Sequence, residues 1–171
     1  MCKIRFETNC DKAVNALLYL LTKYGAMDVY QVMKTFWSAE CYHLNKYGRP
    51  VYGDEYQAWD HGTVPQFMYH YTKLTKDVPF VRKENTLYAL KQPDLSLFSE
   101  SDLEALDYGH RQYQGLSFTE IRDKNHAEPA FKKAVANPNG NQVIPYEDMI
   151  QNPDVRAELL ELGDMTLQMV L

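Results

Sequence analysis

Glu40 and His43 stand three residues apart in a helical stretch whose apolar stripe is Val29, Val32, Met33 and Phe36. That spacing makes them neighbours on one face and continues the stripe. An acid beside an imidazole can exchange protons with a substrate. A polar pair on an inward face is therefore a site candidate. Catalysis would also need a group to attack or a bound substrate to act on. Ser38 lies off the shared face, Cys41 is one residue round the helix from Glu40, and there is no Gly-x-Ser-x-Gly elbow. An enzyme using Glu40 and His43 as an acid–base pair is one reading. The other assigns no catalytic residue. Burial obliges both groups to find partners, and the nearest lie in the following loop: Arg49, Asp54 and the hydroxyls of Tyr52 and Tyr56. On that reading Glu40, His43, Arg49 and Asp54 form a structural polar network that fastens helix to loop.

A metal site could draw on Cys41, His43, Asp60, His61 and His70, but none of their spacings matches a ligand motif. His126 and Glu128 precede Pro129 and read as local capping of the helix it opens. No glycine-rich phosphate loop is present. No cofactor and no metal are expected. Cys2, Cys10 and Cys41 follow no metal spacing, and an odd number suits a reducing compartment. No apolar run approaches the roughly 18 residues of a membrane span, and no signal pattern opens the sequence. These features predict a cytoplasmic protein.

The formal net charge is −5, which argues against a surface that tracks phosphates. The chain carries 13 tyrosines. Tyrosine gives a large contact area with a polar tip at low entropic cost, so an excess suggests a binding surface. Amphipathic packing at the edge of a small core accounts for it equally. The aromatics around the central loop, Tyr52, Tyr56, Trp59, Phe67 and Tyr71, are the candidate partner-binding residues. The competing reading places half of them in the core.

The elements that must position these groups follow from periodicity and caps. Helices are predicted over about 11–24 (Asn9 cap, Gly25 stop) and from Asp28 to about Lys46, closed by Gly48 and blocked by Pro50. Leu18 belongs to the inward stripe of the first, and Tyr19 to its outer face. Residues 51–59 read as a strand or extended loop. A helix opens at Pro65, and residues 80–90 read as a hairpin turning at Glu84–Asn85. Ser99 and Ser117 cap two further helices. Another begins at Pro129, with Phe131 and Val135 inward. Residues 137–141 form a loop, and 145–150 a single turn. A last helix opens at Asn152–Pro153 and carries Val155, Leu159, Leu160 and Leu162, with Gly163 as an interruption, before an apolar tail over 165–171. The fold class is mainly α with a small β-hairpin or sheet (α+β), a compact single-domain helical bundle over residues 1–171.

The run Glu40, His43-Leu44, Tyr47-Gly48-Arg49-Pro50, Gly53-Asp54-x-Tyr56-x-Ala58, Gly62-x-Val64-Pro65 resembles the Panacea domain, also called the SocA-like antitoxin domain, of phage-associated proteins. The resemblance is specific over residues 28–75 and weaker over 98–134, through His126-x-Glu128-Pro129-Ala130-Phe131. Three positions depart from the pattern: Trp37 replaces tyrosine, Glu40 replaces the commoner aspartate, and Thr63 replaces a turn proline. The resemblance implies a non-enzymatic antitoxin that neutralises a cognate toxin encoded in the same operon by direct binding. One branch of the family serves as an adaptor, which adds a Clp-type protease as a second partner. A homo-oligomer, an operon-binding regulator and a degradation role for the 165–171 tail remain open.

Overall fold

The computed structural model describes residues 4–137, 140 and 142–169, with side chains described as far as Gly163. The first helix, α1 (Cys10–Tyr24), is opened by Asn9, whose side chain accepts from the Lys12 N–H at 3.0 Å. It buries Ala13, Leu17, Leu18, Leu20 and Leu21. Tyr19 is also buried, not outward, because its hydroxyl reaches across to donate to Asp107 at 2.9 Å.

The central helix, α2 (Val29–Tyr47), starts at an Asp28 cap and stops at Gly48, which takes the left-handed conformation with φ 69°. It is buried on two faces. Val32, Met33 and Phe36 join α1, Met68, Phe80, Leu87 and Leu106 in one apolar cluster. Trp37 and Leu44 join Tyr56, Ala58, Phe131, Ile144 and Met149 in a second. Along its length lies α4 (Glu100–Tyr113), opened by a reciprocal Ser99–Asp102 capping box. Gly109 permits the close approach: a Cβ there would collide with the Thr35 carbonyl and crowd Ala39.

Two small antiparallel sheets complete the α+β architecture. In one, β1 (Met27–Asp28) pairs with β5 (Thr86–Ala89), which pairs with β4 (Phe80–Lys83) in the expected hairpin. In the other, β2 (Tyr56–Trp59) lies between β3 (Gly62–Pro65) and β6 (Val143–Ile144). Residues 51–55 are not strand: the N–H groups of Val51, Tyr52 and Gly53 bond to a side chain of α2, and the Asp54 and Glu55 carbonyls accept from Tyr146 and Gln66. Pro65 ends β3 and precedes α3 (Gln66–Tyr71) instead of occupying its first turn.

Four more helices follow: α5 (Phe118–His126), α6 (Pro129–Ala136), α7 (Tyr146–Met149) and α8 (Pro153–Met169). Phe131 is buried as expected, but Val135 is exposed at 56%; Leu162 is exposed at 51%. Both Val135 and Leu162 lie on the outward faces of their helices. Gly163 does not interrupt α8, which passes through it. The loop residues Pro138, Asn139 and Asn141, the end residues Val170 and Leu171, and the tail side chains from Met165 lie outside the described residues. Among the described residues no helix is long and apolar enough to cross a membrane.

Candidate functional site

Glu40 sits on α2 with no exposed surface, and its carboxylate is fully engaged by the chain that follows the helix. One oxygen accepts from the Val51 N–H at 2.8 Å. The other accepts from the N–H groups of Tyr52 and Gly53, each at 3.1 Å. Its partners are thus backbone donors, not the side chains of Arg49, Asp54, Tyr52 or Tyr56. Burial pushes the Glu40 carboxyl up to about 7 against the opposing pull of these three donors.

His43 makes a separate set of contacts. Its Nδ1–H donates to the Arg49 carbonyl at 2.6 Å, since a carbonyl can only accept. That tautomer leaves Nε2 to accept from the Ser101 hydroxyl at 3.0 Å. Burial holds the ring's pKa below its ordinary value, so the imidazole is neutral at pH 7. Asp102, 3.5 Å from Nε2, is the hub of this region. It pairs with Lys12 of α1 at 2.7 Å and with Arg49 at 3.0 Å, and accepts from the Ser99 N–H at 2.9 Å. Burial pushes the Asp102 carboxyl up, but the Lys12 and Ser99 contacts outweigh it and hold the group below its ordinary value.

Glu40 and His43 therefore share a face without sharing a proton. The predicted quartet divides into two fastenings, and Asp54 makes a third. Asp54 accepts from the Phe67 and Met68 N–H groups at 2.8 and 3.1 Å. It caps α3 from a distance, where Pro65 at the cap position has no side-chain oxygen to offer. Gly53 fits tightly under the N-terminal segment: a Cβ there would press on the Glu7 carbonyl, and its φ is 81°.

The candidate aromatics separate into two groups. Tyr52 and Tyr56 are buried, at 2% and 1% exposure, and cannot present a surface to a partner. Tyr52 packs edge-on against Phe36 and Tyr56 edge-on against Trp37, each 5.3 Å between centroids. Burial on both faces of α2 draws them in. Trp59, Phe67 and Tyr71 remain partly exposed. Phe67 and Tyr71 stack at 5.5 Å and, with Leu74 and His70, line an apolar groove of about 400 Å³. Trp59 packs edge-on against Tyr69 at 4.8 Å on the wall of a larger cleft of about 600 Å³.

Among the described residues no three His, Cys, Asp or Glu groups cluster as metal ligands. His61 and Asp60 line the larger cleft, His70 lies at the groove, and His43 is sealed away. His126 stacks on Phe131 at 4.4 Å, and the Glu128 side chain makes no capping hydrogen bond to α6. The expected capping role for this pair is therefore not what the structure shows.

The sequence reading passed over Lys34 and Asn125. Both are buried, and both hold Thr63. Asn125 accepts from the Thr63 N–H at 2.6 Å and donates to its hydroxyl oxygen at 3.0 Å. Lys34 donates to the Thr63 carbonyl at 2.6 Å. Gly62, φ 110°, makes room for both, since a Cβ there would strike Asn125 and the Lys34 amine. Hydrogen bonds thus fix the turn at Thr63, where the resemblance leads one to expect proline. A signal was present: Tyr30, Lys34, Trp37 and Cys41 form a second helical stripe with one cation in it.

No curated protein and no solved structure matches the chain. The model of the antitoxin SocA-like, Panacea domain matches residues 32–132, from the first turn of α2 into the first half of α6. That span holds Glu40, His43, the 49–54 loop, the Thr63 turn and Asp102, so the matched stretch and the fastened core coincide. The chain belongs to the antitoxin SocA-like, Panacea domain family.

Proposed function

We propose that this chain binds its cognate toxin directly and neutralises it without chemistry of its own, in the cytoplasm. Membership of the family supports an antitoxin-like role. The observation that carries the reading further is the contrast between core and surface. The only acid–imidazole neighbours on α2 are sealed and committed to structural bonds, whereas Phe67 and Tyr71 lie stacked beside the exposed Leu74. Aromatic side chains next to an apolar groove are suited to anchoring a protein partner. The contact surface is the α3 face, Phe67 and Tyr71, extended by Trp59; the fastened 49–54 segment holds that face in place. The toxin is encoded in the same operon, and delivery of the bound toxin to a Clp-type protease uses the same contact.

Co-expression with the neighbouring gene tests this. The neighbour alone should arrest growth, this chain should restore it, and the Phe67→Ala/Tyr71→Ala double variant, which loses some stability because both rings also pack on the core, should fail to restore it at a temperature where circular dichroism shows it folded. A harmless neighbour, or full rescue by the double variant, overturns the reading. A shortened toxin half-life in the presence of this chain marks protease delivery; an unchanged half-life marks occlusion.

A further inference from the structure

The cleft of about 600 Å³ lies between α2, the β2–β3 turn, the start of α5 and the β4–β5 hairpin. Its walls are aromatic and apolar: Tyr30, Met33, Trp59, Val64, Tyr69 and Phe118. Phe118 is 48% exposed, with its ring 4.5 Å from Tyr30 and 5.4 Å from His61. Lys34 lies at the floor with 1% exposure. Its amine has three N–H donors. One goes to the Thr63 carbonyl, and the ammonium also lies over the Tyr30 ring at 4.8 Å. No carboxylate pairs with it among the described residues. The acids Asp28 and Asp60 and the bases Arg82 and His61 stand at the cleft lining, and the Asp28 carboxylate is committed to the α2 cap. Formal charge at the lining is near balance; among the described residues neither Lys34 nor Arg82 pairs with a carboxylate, but Arg82 is held at the exposed hairpin by the Glu84 carbonyl and the Asn85 side chain, whereas Lys34 is the buried cation at the floor.

A buried ammonium without a counter-ion is costly. The cost shows in the amine itself: burial alone brings it down to about 7. Gripping the Thr63 carbonyl does not explain the charge, because a neutral donor would do the same.

We propose that this cleft binds a monocarboxylate with a flat apolar body, the carboxylate seated against the Lys34 ammonium and the body between the aromatic walls. The two remaining N–H groups match the two oxygens of one carboxylate. A phosphate dianion calls for several converging donors; the α2 and α5 starts at the cleft are capped by Asp28 and Ser117, Arg82 bonds to Glu84 and Asn85, and the floor supplies one amine. The cleft adjoins the proposed contact surface at Trp59 but not the Phe67–Tyr71 groove, and its test uses this chain alone, so it stands or falls independently of toxin binding.

The test titrates phenylacetate into the protein and follows tryptophan fluorescence, with 2-phenylethanol as the uncharged control. Trp59 lines the cleft, whereas Trp37 is buried in the core. Phenylacetate should give a saturable change that Trp59→Phe abolishes. The alcohol should bind at least tenfold more weakly. Lys34→Met should weaken phenylacetate binding at least tenfold, and Phe118→Ala, at an exposed site, several-fold with an unchanged melting temperature. If Lys34→Met does not fold, the acid–alcohol comparison and Phe118→Ala decide. No saturable response, equal binding of acid and alcohol, or undiminished binding by Lys34→Met or Phe118→Ala overturns the proposal.

Discussion

The Glu40 carboxylate and the Val51 backbone N–H meet at 2.8 Å across the end of α2, where the chain reverses through Gly48 and Pro50. Together with the Tyr52 and Gly53 bonds, this makes one side chain the acceptor for three consecutive buried donors. Each donor left without a partner costs about 1–3 kcal/mol. Glu40→Ala should therefore destabilise the protein by roughly 3–5 kcal/mol. Glu40→Gln keeps one oxygen but turns an NH₂ toward an N–H, and should lose less. Denaturant unfolding of both variants checks the order; equal losses would show that shape, not the acceptors, is what matters.

Asp102 ties α1, the Arg49 loop and its own helix cap at one buried point. Asp102→Ala leaves the Lys12 ammonium and the Arg49 guanidinium without their carboxylate, and should cost about 3 kcal/mol or more. Its folded pKa is held below the unfolded value of 3.8. The contribution is accordingly present above that pH and lost as pH falls below it. Acid titration of stability should show a shallower loss in Asp102→Ala than in the parent.

Gly109 is the contact point of α4 on α2. A methyl group there meets the Thr35 carbonyl, which is part of the α2 backbone and cannot move aside. Gly109→Ala gains about 1 kcal/mol of helix propensity but should still be destabilising by about 2 kcal/mol, because overpacking against backbone forces the helices apart. A thermal melt reads the sign directly.

Lys34 gives a pH signature opposite to that of a stabilising salt bridge. Its pKa falls from 10.5 unfolded to about 7 folded. A depressed base contributes stability that is present in full above the unfolded value and lost as pH falls through the folded one. Between pH 7 and about pH 9.5 the parent should thus gain on the order of 3 kcal/mol relative to Lys34→Met. Parallel unfolding curves at the two pH values check this; a constant difference would show that the amine stays protonated in the fold.

What could be read from sequence was short-range. The caps at Asn9, Asp28, Ser99 and Ser117 each bond within the first turn of their own helix, so the residues carry the signal locally. The 80–89 hairpin is local for the same reason. The run from Glu40 to Pro65 carried the family signature because its turns are specified by Gly48, Pro50, Gly53 and Gly62 in their own positions. Which face of that run looks outward was decided elsewhere. Tyr52 is drawn inward by Phe36, and Tyr56 by Trp37, because α2 is covered on both sides by elements distant in the chain. Lys34 became a buried cation, and Thr63 a fixed turn, only when α5 brought Asn125 against β3. Side-chain type and spacing set what each residue can bond to within a turn. Burial is a property of what packs on top, and only the assembled tertiary structure supplies it.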